Sequence, residues 1–274
     1  MFRKRLVRPY GFIGRGEVVM EKKWEVALNK FLEEWKDRKE VIGISVCGSY
    51  ITGNPSKHSD IDINIVLKNN CNWRERGNKI VDGVLMEYFA NPSWKIEEDM
   101  KEDEQDRRRV DAHMFATGRI ILDKRGKMKK LKALGQKYLK KKFKKPDSSR
   151  KEILKYISWD MLDNLEEVYE RKSSDFEFVY FNSLQQMINF YSEFLGFYRF
   201  SPNKMLLFLQ DKKDMKKYSI PKFPDQVFAK LFVKAIKEKN KVKKMNLFKQ
   251  LIQRMQLKMG GFDIDGWKVR SKVK

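Results

Sequence analysis

The stretch Asp60-Ile61-Asp62-Ile63-Asn64-Ile65-Val66-Leu67 constrains this chain more than any other. Its first six residues alternate polar and apolar, the period of a half-buried β-strand. Asp60, Asp62 and Asn64 therefore share one face, and Ile61, Ile63 and Ile65 the other. Upstream, the apolar run Val41 to Cys47 reads as a buried strand that ends in Gly48-Ser49. A polar loop containing Lys57 and His58 joins the two. Side chains two residues apart on a strand stand ~7 Å apart. Asp60 and Asp62 can thus share hard cations such as Mg²⁺, which prefers carboxylates and substrate phosphates. A pair of such ions can stabilise the attacking and leaving oxygens of an in-line displacement at phosphorus. Gly48 lets backbone approach a phosphate closely, and Ser49 offers a hydroxyl and an N–H. A bare D-x-D is common on solvated strands; its position between apolar strands after a Gly-Ser turn makes it a candidate site.

The surrounding pattern is that of an α/β domain. A helix is expected over 21–38, where Trp24, Val26, Ala27, Phe31 and Trp35 recur at helical spacing. A third strand is expected over 84–90, then a charged helix over about 95–117. The short strand Arg119 to Leu122, the turn Asp123 to Gly126 and a basic helix to about 143 follow. Arg74, Arg76 and Lys79, in W-R-E-R-G-N-K, fall between the second and third strands. They read as a basic surface turn, with phosphate neutralisation as the alternative. Lys144 to Ser149 reads as a linker with a Ser or Asp cap. Helices are expected beyond it at 149–171, 175–199, 202–211, 224–239 and 241–258. Pro202 and Pro224 mark helix starts, and Gly260-Gly261 a helix end. The domain expectation is an N-terminal extension over 1–20, a catalytic domain over 21–145, a helical domain over 146–261 and a tail over 262–274.

Composition narrows the function classes. Hydrophobic residues make up 41 % of the 274, enough for a real core. No window approaches the ~20 apolar residues of a membrane span. No apolar run follows the basic start Met1 to Arg5, so no signal peptide is expected. Cys47 and Cys71 fit a reducing, cytoplasmic setting, with Cys47 a small buried hydrophobe. The net charge of +23 fits a spread of solvated lysines or a polyanion partner, and suits an anionic substrate. H-E-x-x-H, paired C-x-x-C and the P-loop motif are absent.

Gly48-Ser49 followed by Asp60-Ile61-Asp62 resembles the signature of the polymerase-β-type nucleotidyltransferase superfamily. Ala116 to Asp123 resembles a later segment of its small members, and the likeness covers about residues 21–140. The resemblance implies a mixed-sheet α+β nucleotidyltransferase domain, here followed by an all-α helical bundle. It implies a Gly-Ser turn that grips a triphosphate, Asp60 and Asp62 as metal ligands, and a third carboxylate on a neighbouring strand. Glu87, in Leu85-Met86-Glu87-Tyr88, occupies that place. Metal ligand, general base and exposed strand glutamate all stay open for it. Two Mg²⁺ ions and ATP or another NTP are the expected cofactors. Gly48, Ser49 and Lys57 are the nucleotide-binding candidates, although Lys57 and His58 also fit a solvated loop.

The layout is similar to that of antibiotic nucleotidyltransferases, which implies a small-molecule hydroxyl acceptor. On a helix over 175–199, Asn182, Gln186, Asn189 and Glu193 form one polar strip among apolar residues. Gln186, Asn189 and Glu193 are the acceptor-site candidates if the strip lines a cleft; solvent exposure is the alternative. Asp160 is a weaker candidate, and His113 reads as structural. RNA and protein acceptors, and a non-catalytic nucleotide-binding module, are the alternative readings.

Overall fold

The structure is a computed structural model that describes residues 16–53 and 55–270, with side chains from residue 23 onward. The extension expected over 1–20 lies outside the described residues as far as residue 15, and so do residues 271–274 of the tail.

The chain forms two compact units, residues 1–98 with 114–135 and residues 99–113 with 136–274. Residues 99–113 and 136–145, expected with the first domain, thus group with the helical unit.

The first unit is built on a five-stranded sheet: β1 (Val41–Cys47), β2 (Ile61–Leu67), β3 (Glu75–Val81), β4 (Val84–Pro92) and β5 (Arg119–Asp123). Their spatial order is β3-β4-β2-β1-β5. β1 runs antiparallel to β2 and β5, β3 runs antiparallel to β4, and β2 and β4 are parallel. The sheet is therefore mixed. Helix α1 (Gly16–Lys36) starts five residues before the expected position. It buries Trp24, Ala27, Leu28, Phe31, Leu32 and Trp35 with Ile44, Val46, Ile61, Ile63 and Ile65. Val26 is half-exposed and lies off that stripe. Each fully buried side chain of this size contributes about 1.5–3 kcal/mol, so the alternation of β2 is set by the face that α1 covers.

β3 is the principal departure from the expected elements. Arg76 and Lys79, expected in a basic surface turn, lie in a strand that pairs along its whole length with β4, from Glu75↔Ala90 to Val81↔Val84. The hairpin closes through Asp82 and Gly83, with φ of 48° and 79°. Two successive left-handed residues make the tight turn that suits a twisted hairpin, and Asp-Gly is a preferred pair there. Gly77 lies across from Tyr88, where a Cβ would meet the Tyr88 ring at 2.6–2.8 Å. The missing side chain lets Tyr88 lie flat over β3 and pack against Phe31 and Trp35.

The single charged helix expected over about 95–117 is two helices, α3 (Ser93–Gln105) and α4 (Val110–Thr117). The chain reverses at Arg107, whose φ is 57°. Buried Asp103 accepts the Asp111 N–H at 3.0 Å and pairs with Arg108. Helix α5 (Lys127–Lys140) follows β5, and its Met128 lies where a Cβ on Gly43 would sit.

The helical unit contains α6 (Ser148–Glu170), α7 (Phe176–Leu195), α8 (Met205–Gln210), α9 (Lys212–Lys217), α10 (Gln226–Lys237) and α11 (Lys241–Met259). Asp147 caps α6 by accepting the Arg150 N–H. α7 stops at Gly196 in the left-handed region, four residues before the expected end. The helix expected over 202–211 begins at Pro202 as a 3-10 turn, Pro202–Lys204, that runs straight into α8. α10 starts two residues after Pro224, capped by Asp225. Tyr180, Leu184, Met187, Ile188 and Tyr191 of α7 are buried with Phe228, Phe232, Phe248 and Met255. Tyr191 and Arg254 both hydrogen-bond Asp225.

Candidate active site

β2 and β4 run side by side with Asp62 directly across from Glu87. Asp60 immediately precedes β2. Parallel pairing therefore turns a sequence separation of 25 residues into lateral neighbours on one face. Asp60, Asp62 and Glu87 are half-buried, and each offers a carboxylate oxygen within 4.8 Å of those of the other two. An anionic, all-oxygen ligand set is the kind that Mg²⁺ takes, so the residues present fit a hard divalent cation.

Gly48 backs this cluster. Its φ and ψ are 81° and −162°, a region that only glycine occupies without strain. A Cβ there would stand 2.0 Å from the Asp62 Oδ2. The glycine thus serves both a backbone conformation and the space that the Asp62 carboxylate fills. Ser49 opens the short helix α2 (Ser49–Thr52), and the Gly48 carbonyl accepts from the N–H groups of Ile51 and Thr52. Behind the carboxylates the same face stays polar. Asn64 is buried and donates to the Cys47 Sγ at 3.3 Å. Ser45, across from Asn64, is buried too. Cys47 is buried as expected, and both cysteines are free.

β3 adds what the sequence reading had set aside. Asn78 stands across from Glu87. Arg76 reaches the Glu87 carboxylate, with Nη2 to Oε1 at 2.6 Å. Lys79 points to the opposite face, where it pairs with Glu34 of α1. Arg74 is exposed just before β3. The detectable signal for this strand was Val81-Asp82-Gly83-Val84, a turn pair between β-branched residues.

The remaining candidates are dispersed. Lys57 and His58 are exposed in the loop before Asp60, where the His58 N–H donates to Ser56 Oγ. His113 packs in the helical unit and hydrogen-bonds the Lys217 carbonyl; burial lowers its pKa, with the hydrogen bond opposing. Within α7, Asn182 and Gln186 are exposed and Asn189 is half-buried. Asn189 Oδ1 accepts the Phe200 N–H, and Glu193 forms a two-pronged pair with Arg150 at 2.8 and 2.9 Å. A cavity of ≈ 300 Å³ in the helical unit is lined by Val168, Tyr169, Lys172, Phe176 and Lys241 among others, and by no member of this strip. Asp160 is half-buried on α6.

Residues 28–160 match the family model of the nucleotidyltransferase domain. This segment is a nucleotidyltransferase domain of the polymerase-β type. A domain of this kind is that of an enzyme that transfers nucleoside monophosphate groups. Among solved structures, the chain is similar to a nucleotidyltransferase-like protein from Exiguobacterium sibiricum 255-15. The two share 12 % identity over 88 % of this chain and 77 % of that one, with a TM-score of 0.45. No curated protein sequence matches the chain significantly. Among its described residues no helix is long and apolar enough to cross a membrane.

Proposed function

We propose that this enzyme moves AMP from ATP to a hydroxyl group of a small-molecule acceptor and releases pyrophosphate. The observation that carries the reading is the convergence of Asp60, Asp62 and Glu87 within 4.8 Å beside Gly48-Ser49. Those three carboxylates would hold Mg²⁺, two ions in the fullest form. When bound, the metal supplies charge stabilisation at the reacting phosphate. The Gly48-Ser49 turn holds Asp62 in place and presents backbone to the nucleotide, and Lys57 is close enough in sequence to serve the phosphates. The acceptor oxygen bonds to the α-phosphorus as the bond to the pyrophosphate oxygen breaks. Glu87, at the edge of the triad nearest β3, takes the acceptor's proton on a carboxylate oxygen.

A helical unit with its own core supports a small-molecule acceptor, and Gln186, Asn189 and Glu193 are the proposed polar contacts. An antibiotic is the acceptor that the layout favours. Arg150 already neutralises Glu193, which disfavours a polycation at that point. One observation favours RNA as a second reading. Residues 124–145 contain no Asp or Glu, and Lys129, Lys130, Lys137, Lys140, Lys142 and Lys144 are exposed.

Incubation with α-labelled ATP, Mg²⁺ and separate panels of antibiotics, tRNA and lysate protein tests the proposal. Label is expected on a small molecule, and transfer is expected to vanish in Asp60→Asn and Asp62→Asn. Label on tRNA alone would move the conclusion to the second reading. Turnover retained in both variants would remove the triad from the mechanism.

A further inference from the structure

The cations of β3 are divided between its two faces. Lys79 lies across from buried Met86 and pairs with Glu34 of α1, on the side of the apolar core. Arg76 lies across from Phe89, on the side of the carboxylates. Its guanidinium holds a Glu87 oxygen at 2.6 Å and sits over the Phe89 ring, 4.8 Å from the centroid. The Arg76 side chain is 69 % exposed and that of Glu87 is 19 % exposed. The arginine is therefore an edge-strand residue that reaches inward to one member of the triad. Nothing in the core depends on its staying there.

A carboxylate engaged by a guanidinium cannot give the same lone pairs fully to a metal. A divalent cation arriving at Asp60, Asp62 and Glu87 also repels a guanidinium parked beside it. Both effects set Arg76 and the metal in competition for Glu87. The displaced group does not go far, because the nucleotide's phosphates come to the same cation. A planar guanidinium matches phosphate oxygens in two-pronged geometry. Resting on the metal-site reading above, we propose that Arg76 is a built-in counter-ion of the triad. It holds Glu87 while no divalent cation is bound, releases it on metal entry, and then pairs with a phosphate of the bound nucleotide.

The test uses the full-length protein and two measurements. Mn²⁺ binding without nucleotide is followed by electron paramagnetic resonance, and KM and kcat are measured with ATP·Mg. Arg76→Gln is expected to bind Mn²⁺ about two- to fivefold more tightly, the scale of a partly exposed ion pair. Its KM for ATP·Mg is expected to rise about tenfold, with a smaller change in kcat. Arg76→Lys keeps the charge without the fork, so its Mn²⁺ affinity is expected between the two. Lys79→Gln removes the same charge from the other face and is expected to change neither quantity. Unchanged or weaker Mn²⁺ binding in Arg76→Gln overturns the proposal, and so does an equal effect from Lys79→Gln. Tighter Mn²⁺ with an unchanged KM overturns the phosphate half of it. If the wild type binds no Mn²⁺, or Asp62→Asn binds it as tightly, the metal-site reading itself fails.

Discussion

The Asp62 carboxylate rests against the Cα of Gly48, 2.0 Å from where a Cβ would be. At most turns a glycine answers to backbone conformation alone. Here the carboxylate would also have to move, and with it the spacing to Asp60 and Glu87. Gly48→Ala is expected to cost about 1–3 kcal/mol in backbone strain. It is also expected to lower kcat/KM by more than a hundredfold, because a ligand set displaced by about 1 Å loses that much. Steady-state kinetics beside a denaturant melt check the two effects separately. A variant that loses stability but keeps its activity would show that Asp62 does not need the position Gly48 leaves for it.

The edge strand β3 shows how an element enters a site that its own sequence does not advertise. E-R-G-N-K-I-V is short of alternating apolar residues: the face toward the core has Gly77 beneath Tyr88 and only Val81 packed on the apolar cluster, and the other carries Arg76, Asn78 and Ile80. Its pairing is enforced from outside, by the Asp82-Gly83 turn and by the apolar cluster that receives Tyr88. Charged residues on an edge strand also discourage pairing with other chains, and Glu75, Arg76 and Lys79 serve that purpose. Gly77→Ala is expected to lower the stability of the sheet unit by about 1–3 kcal/mol through overpacking against the Tyr88 ring. Urea melts followed by tryptophan fluorescence should register it, because Trp35 packs on Tyr88.

At the scale of the whole molecule the two units answer to different chemistry. The sheet unit is held by aliphatic burial against α1. The helical unit adds a buried polar junction at Asp225, which caps α10, accepts the Tyr191 hydroxyl at 2.8 Å and pairs with Arg254. Burial pushes the Asp225 carboxyl up. Hydrogen bonds from Arg254, the Phe228 N–H and Tyr191, with the Arg254 charge, outweigh that and leave it below the ordinary carboxylate range. The folded state then binds fewer protons than the unfolded chain in the interval just below the unfolded value. Its contribution is therefore complete above about pH 4 and is lost as pH falls toward the depressed folded value. Asp225→Asn is expected to cost about 2–3 kcal/mol at pH 7. Thermal melts from pH 7 to pH 3 should show the gap to wild type narrowing only below about pH 4. A gap constant across that range would mean that the Asp225 charge contributes nothing to stability.

The period-two pattern of β2, the apolar run of β1 and the Gly48-Ser49 turn were legible in sequence, because local chain geometry dictates which side chains share a face. The helices after Ser148 were legible for the same reason, through their apolar periodicity and caps. The resemblance to a family identified Glu87, but only parallel pairing of β2 with β4 sets it across from Asp62. The strand β3 escaped sequence reading because the Tyr88 packing decides it, and the break at Arg107 because it turns on the local hydrogen bond of one carboxylate, Asp103, in a run of many. Arg76 is the clearest case. Its residue type is plain in the chain, but its place beside Glu87 exists only once a hairpin has folded the edge strand onto β4. Local interactions set the elements by themselves. Which charges meet is a property of non-local pairing, and that is decided by the tertiary fold.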